Sequence, residues 1–385
     1  METRVVTLSD LEPSGVSRWE GLAQSAVEPN PFLDPRVLAP GGVPNEAAHD
    51  MSFMMVEDAG ELLGVMAFQL GIHVVRRVPL KALTLGEFPY TPRWYPLVSA
   101  TAPSETLAEM IRATRRMRLA SLMDLENFPA DGPLHEALVS ATSSLGITLH
   151  QYAASAFAYA YREAPAAEAT HRPTGTGRPA GTGLPERPAE LRLERLSGVV
   201  RRHHAKYLRD LERVSGGALT VSDRSGDPAA ILEFIDLQAS GWKGDTARGG
   251  AAFRVTGWAP WFIAITDGFR AAGSLAVYTL SSGVDTIHMQ VAVRSGSGLF
   301  GLQDAYNEAY REHRPGNLGR LAGWAYGLAE TDAEFFDPNV GPSYAESMRL
   351  YPDRRSFARY VISTGGSLAS AALAVRPQSL RTSAG

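Results

Sequence analysis

Residues Leu299 to Glu330 read LFGLQDAYNEAYREHRPGNLGRLAGWAYGLAE. The first part, Leu299 to Tyr310, is apolar and aromatic enough to cross a buried sheet. His313-Arg314-Pro315-Gly316 then interrupts it, because Pro and Gly punctuate regular structure. From Asn317 to Glu330 the residues Leu318, Leu321, Ala322, Ala325 and Leu328 recur at helical spacing and predict one buried face. The expectation is strand, turn and helix. A helix start leaves its first N–H groups unpaired and carries about half a positive charge. Gly316 and Gly319 permit close approach to that backbone. The segment reads either as a cradle for a phosphate or carboxylate, or as an ordinary helix start.

Composition bounds the rest. At 385 residues the chain is long for one domain and comfortable for two. A hydrophobic fraction of 44% supports well-buried cores, and a net charge of −4 argues against a DNA binder or a membrane-surface protein. The absence of cysteine excludes disulfides, thiolate metal sites and cysteine nucleophiles. The nine histidines are scattered, so no metal site is expected. Met1 to Asp10 has no apolar core of a signal peptide, and no stretch reaches the roughly 18 apolar residues of a membrane span. A cytoplasmic protein is expected.

In chain order, residues 1–162 suggest one α/β domain. Ser14 to Ala26 predicts a helix with Trp19, Leu22 and Ala23 inward, and Asn30-Pro31-Phe32-Leu33-Asp34-Pro35 a rigid turn opening a short helix. Met51 to Val56 and Glu61 to Ile72 read as a hairpin about Asp58-Ala59-Gly60. Leu80 to Tyr95 reads as a surface loop. Residues 163–190, rich in Pro, Gly, Ala and Thr, read as a linker unable to bury enough surface to offset its ordering entropy. A second domain is expected over 191–363 and a tail over 364–385.

The second domain opens with a basic helix, Ser197 to Val214, carrying Arg201, Arg202, His203, His204, Lys206, Arg209 and Arg213. Val200, Tyr207, Leu208, Leu211 and Val214 are its expected buried stripe. The cations read either as an anion contact (nucleotide phosphate, carrier protein or RNA) or as a solvated face. Then follow a strand at Leu219 to Asp223, a helix at Pro228 to Gly241 and a small-residue loop from Trp242 to Gly250. A helix at Thr256 to Ala272 and strands at Ser274 to Leu280 and Thr286 to Arg294 complete the approach to the opening stretch. Short elements at Glu334 to Asp337 and Gly341 to Leu350 and a strand at Phe357 to Ser363 come after it.

With these landmarks in order, the second domain resembles the GNAT acyltransferase superfamily. It is most similar to a CelD-like branch of two-domain acyltransferases related to the FemABX aminoacyl transferases. The residues carrying the resemblance are Gly241-Trp242-Lys243-Gly244, Ala305-Tyr306-Asn307-Glu308, Arg314-Pro315-Gly316-Asn317-Leu318, and Asp337 with Gly341 and Tyr344. Asn30-Pro31-Phe32 fits the family's N-terminal half. Three positions depart from the pattern: Gln303 and Ala345 stand where relatives usually carry Lys, and Asn307 where they carry Asp. These imply an altered donor or acceptor, or a domain that binds without catalysing.

The resemblance implies an α/β fold of two tandem GNAT-like domains, the first degenerate and the second holding the active cleft. The donor arm would lie between two diverging strands. Its pyrophosphate would sit at the helix start formed by Arg314, Gly316, Asn317, Leu318 and Gly319. The implied activity is transfer of an acyl group from acyl-CoA, or from an acyl-carrier thioester, to the amine of a small amino-acid-like acceptor. Two alternatives stay open: an aminoacyl-tRNA-dependent transferase, with tRNA as partner, and a non-catalytic binding protein. Amide formation needs a base for the amine, a stabiliser of the oxyanion and alignment of the substrates. Glu308 is the first candidate base, then Asp304 and Asp337, because a buried carboxylate can have its pKa raised towards neutrality. Tyr306 is a candidate donor to the oxyanion or leaving group, or else a core aromatic. Lys243 and Arg248 are candidate phosphate or carboxylate clamps, or else solvated loop cations. His288 and Tyr344 are further acceptor-site candidates, though a lone strand histidine is also read as structural. Trp242 belongs to the acceptor site or to core packing.

Overall fold

A computed structural model describes residues 1–38, 51–75, 77–163, 187–365, 369, 370 and 373. The central part of the Pro/Gly-rich run, 164–186, and most of the tail lie outside the described residues. The chain forms two compact units. One runs from Met1 to Ala156 and takes up Ser356 onward; the other runs from Phe157 to Arg355.

The first unit contains β1 (Glu2–Val6), β2 (Ser52–Asp58), β3 (Glu61–Val75), β4 (Val78–Leu85) and β5 (Leu122–Pro129). The first four pair antiparallel in sequence order. β4 and β5 are parallel through Ala82–Thr84 and Leu122–Asp124. Parallel neighbours need a crossover, which helix α2 (Pro103–Arg116) supplies. Helix α1 (Pro13–Ser25) starts on a proline, buries Trp19, Leu22 and Ala23, and anchors itself by Trp19 Nε1 donating to the Leu33 carbonyl at 2.8 Å. Helix α3 (Gly132–Ser144) leads to β6 (Leu149–Tyr161), whose residues from Phe157 on belong to the second unit. The strand beside β5 comes from the far end of the chain: β12 (Asp353–Ser363) pairs with it antiparallel from Phe357 to Ser363.

The second unit repeats this order. After helix α4 (Gly198–Ser215), β7 (Leu219–Asp223) precedes helices α5 (Ala229–Ser240) and α6 (Ala259–Ala271). Then come the antiparallel strands β8 (Leu275–Ser282), β9 (Asp285–Ser295) and β10 (Gly298–Tyr306). Helix α7 (Pro315–Glu330) crosses to β11 (Phe335–Asp337), parallel to β10, and the end of β6 pairs antiparallel with β11. The core of this unit is apolar and centred on α7, with Leu318, Leu321, Trp324 and Leu328 packed over Tyr278, Ile287 and Leu299.

Several elements differ from expectation. Val78–Leu85 is a strand where a loop was expected from Leu80; Leu80, Ala82, Leu83 and Leu85 bury enough area to hold it in the sheet. The helix expected over 256–272 breaks at Gly257, whose φ of 78° is left-handed, and restarts at Ala259 before Pro260. Helix α7 begins at Pro315, two residues early, because Pro at the first position gives up only an N–H that would be unpaired anyway. In α4, Val214 is 42% exposed and His204 takes a buried place instead.

Candidate active site

Strands β10 and β11 pair only from Gly298 to Phe300, opposite Phe335 to Asp337, and then diverge. Asn339 caps the divergence, its Nδ2 donating to the Gly301 carbonyl at 2.6 Å. The β9–β10 register slips between Val291 and Ala292, so Leu302 is the extra residue of a bulge. Beyond it, Gln303 to Tyr306 pair with β9 alone. That edge offers backbone hydrogen-bonding groups to an extended ligand.

A cleft lies at this end of the sheet, with Gln238, Gly241, Trp242, Lys243, Tyr306 and Glu308 on its walls. The two motifs that the sequence separates by some sixty residues meet here. The Trp242 N–H donates to Glu308 Oε1 at 3.3 Å, and Lys243 Nζ donates to the Asp304 carbonyl at 2.8 Å. The loop holding Lys243 is closed by Gly244, where a Cβ would fall 1.8 Å from the Ala239 carbonyl oxygen. Trp242 is 46% exposed, so it is a wall of the cleft and not core. Glu308 lies past the strand, opening a 3-10 turn (Glu308–His313) that Asn307 caps by accepting from the Ala309 N–H at 3.0 Å. Asn307 therefore shapes the turn that aims Glu308.

Beneath the cleft is a charged network. Asp304 Oδ2 accepts from Arg320 Nε at 2.8 Å and lies 3.2 Å from His288 Nε2, while Oδ1 accepts from the second Arg320 nitrogen at 3.1 Å. Arg320 also donates to Ser347 Oγ at 2.9 Å. Burial alone would raise the Asp304 carboxyl, but Arg320, His288 and Lys243 hold it well below the usual range. Burial lowers His288, against the pull of Asp304. Asp304 is thus a fixed anion, and the expectation that it could serve as base fails on this ground. Asp337 fails for another reason. It is fully buried and already accepts from Tyr159 Oη and the Asn339 N–H, both at 2.7 Å, and in register it faces Phe300 instead of the cleft residues.

Tyr306 keeps its proton: burial raises it first, and Glu308 and Asp304 add to that. The cleft therefore presents a carboxylate, a phenol that donates and an ammonium within one loop-and-strand junction. That set can accept a proton from an amine and stabilise an oxyanion. Arg248, 72% exposed, pairs with Asp245 at 3.2 Å, and Tyr344 is 65% exposed; neither lines this cleft.

The glycines of α7 make room for side chains of the sheet. A Cβ on Gly319 would fall 2.0 Å from His288 Cγ, and one on Gly316 3.0 Å from the Tyr306 ring. Their space is taken by sheet side chains. Arg314, in the left-handed region at φ 54°, caps the helix, and its carbonyl accepts from the N–H groups of Asn317 and Leu318 at 3.0 and 3.2 Å. Asn317 Nδ2 meets His204 Nε2 of α4 at 3.3 Å. Arg320 escaped sequence reading because a lone helical arginine just off the apolar face carries no local sign of a carboxylate on a neighbouring strand.

Among the described residues no group of His, Asp and Glu is placed to hold a metal, and no helix is long and apolar enough to cross a membrane. No curated protein matches the chain. A conserved protein of unknown function from Bacteroides thetaiotaomicron shares the fold at 9% identity, over 94% of this chain and 99% of that one, with a TM-score of 0.54. More distant are a tandem GNAT protein from the clavulanic acid biosynthesis pathway (13% identity, 95% and 99% covered, TM-score 0.38) and L-PGS from Bacillus licheniformis (12%, 91% and 96%, TM-score 0.42). Residues 199–335, within the second unit, match the model of the acetyltransferase (GNAT) domain.

Proposed function

We propose that the protein is an N-acyltransferase that moves an acyl group from a thioester to the amine of a small, amino-acid-like acceptor. The observation that carries this reading is the meeting of Lys243, Tyr306 and Glu308 at the open edge of β10, inside the acetyltransferase domain. The thioester arm lies along that edge, with its carbonyl facing Tyr306. Glu308 takes the proton of the incoming ammonium. The amine nitrogen then attacks the carbonyl carbon and the C–N bond forms; the nitrogen gives up its second proton, which passes by way of Tyr306 to the sulfur as the C–S bond breaks. Tyr306, kept protonated by its surroundings, donates to the oxyanion or to the leaving thiolate. The Lys243 ammonium adds positive charge at the same end of the strand.

Thiol release from acetyl-CoA and longer acyl-CoAs, measured across a panel of primary amines, tests this. Glu308→Gln is expected to cut turnover about a hundredfold or more while leaving donor affinity within a few-fold, the usual size of a lost general base. Unchanged turnover at saturating substrates would remove Glu308 from the mechanism. No amine-dependent thiol release from any donor would remove the acyl-CoA reading.

A further inference from the structure

Helix α4 carries charge that its own unit leaves unused. Arg202, Lys206, Arg209 and Arg213 stand at i, i+4, i+7 and i+11, on one face of the helix, and all four are exposed. Val199, 57% exposed, heads the same stripe. Val200, His204, Tyr207 and Leu211 occupy the other side and pack inward. Among the described residues, the ion-pair partner found for these four cations is Asp210 alone, 3.9 Å from Arg213. With a net charge of −4 over the chain, this concentration of cations is local and not a by-product of a basic composition.

The helix is also placed at the site. Through His204 it meets Asn317 in the first turn of α7, and it packs on the Glu308–His313 turn that carries the proposed base. At the start of α7 the Arg314 carbonyl accepts from the Asn317 and Leu318 N–H groups, and the Tyr306 ring lies against Gly316. The positive charge lies along an outward stripe about 16 Å long at 1.5 Å per residue. That length suits one helix of a partner. Three of the four cations are arginines, which match carboxylates in forked pairs, and Val199 adds an apolar contact at one end. A nucleic acid would follow its phosphates over a wider basic surface and has no use for the valine.

We infer that the α4 stripe is a docking surface for an acidic carrier protein, whose phosphopantetheine-linked acyl thioester enters the divergence between β10 and β11. This rests on the acyl-transfer reading and names its donor. In the transfer Glu308 takes the first proton of the ammonium, the carrier's thiolate is the leaving group and takes up the second, and the carrier departs as the free thiol.

The test uses the full chain and a fluorescently labelled holo acyl carrier protein of the fatty-acid-synthase type. Anisotropy is measured at two salt concentrations for the wild type and for R202E/K206E/R209E. Acetyl-CoA and bulk tRNA are titrated in parallel. The expected result is saturable, salt-sensitive carrier binding that the triple variant weakens about tenfold or more, with acetyl-CoA affinity unchanged. Carrier binding that the variant leaves intact, or no carrier binding, overturns the inference. So does stripe-dependent binding of tRNA without carrier, which would make the surface an RNA site. Stripe-dependent carrier binding alongside a wild type that ignores acetyl-CoA would support the docking surface while counting against the small-molecule donor of the acyl-transfer reading.

Discussion

The two units solve the same packing problem in opposite ways. In the first, the crossover helix α2 supplies the knobs and the sheet supplies the hole. A Cβ on Gly64 of β3 would fall 2.6 Å from both Thr106 and Met110 of that helix. In the second, the helix supplies the holes. Gly319 and Gly323 of α7 make room for His288 and Gln290 of β9, where added Cβ atoms would come within 2.0 and 1.9 Å. The difference decides what the interior can hold. A flat helix face lets polar side chains stand up from the sheet, and that is how His288 reaches Asp304. Each unit keeps a carboxylate gripped by one arginine and one histidine: Asp304 by Arg320 and His288, Asp124 by Arg359 and His73. The first of these lies under the cleft walled by Trp242, Lys243 and Tyr306.

The largest effect should come from removing those carboxylates. Asp304→Ala and Asp124→Ala each leave a partly buried arginine without its partner, at a cost of about 3–5 kcal/mol. Urea unfolding should show comparable losses for the two, but donor titration should fail for Asp304→Ala alone. Equal donor binding in both variants would break the division of labour between the units.

Next in size are the glycines. Gly319→Ala drives a methyl into the His288 ring, which is buried and held against Asp304, and should cost about 3 kcal/mol, the upper end for overpacking. Gly64→Ala should cost less, about 1–2 kcal/mol, because the Met110 terminus is flexible. Thermal denaturation of the pair checks the order. A Gly64→Ala loss equal to that of Gly319→Ala would show that Thr106, and not the flexible methionine, sets the first unit's tolerance.

The smallest effect is a pH dependence. Asp124 and Asp304 are held below their usual range, so their stabilisation is present above the unfolded carboxyl pKa of about 4 and is lost as pH falls through their folded values. Asp34 has the opposite sign. Burial raises it to about 6 against the pull of Arg36, so its contribution is present below about pH 4 and is lost as pH rises towards 6. Asp34→Asn should therefore gain on the wild type between pH 4 and pH 8, by less than about 3 kcal/mol, the full value of two pKa units. Unfolding midpoints at the two pH values measure it, and a constant difference would mean that Arg36 cancels the burial.

What could be read from the sequence was local. The Pro-Gly break and the apolar face after it located α7 to within two residues, and Asn30-Pro31 marked a turn that Asn30 does cap, accepting from the Phe32 N–H at 3.1 Å. Glu308, Tyr306 and Lys243 were singled out by motif and do share the cleft walls. What could not be read was pairing at a distance. Nothing in helix α7 says that Arg320 will find Asp304, or that its glycines answer to side chains of β9. Asp337 is chemically equal to Asp304 in the sequence and differs only in its neighbours, Tyr159 and Asn339. The final strand shows no local feature assigning it to the unit that begins the chain.

That assignment bears on synthesis. Strand β5 ends at Pro129, and its neighbour β12 starts pairing with it only at Phe357. At about 5–20 residues per second, the ribosome needs roughly ten to forty-five seconds to make the intervening chain. During that interval β5 has an open edge, and unpaired edges invite association with other chains. The order of folding is therefore not the order of translation. The first unit must wait for Phe357 to Ser363 to close its sheet, and a fragment cut in the Pro/Gly-rich run would lack the strand that completes it.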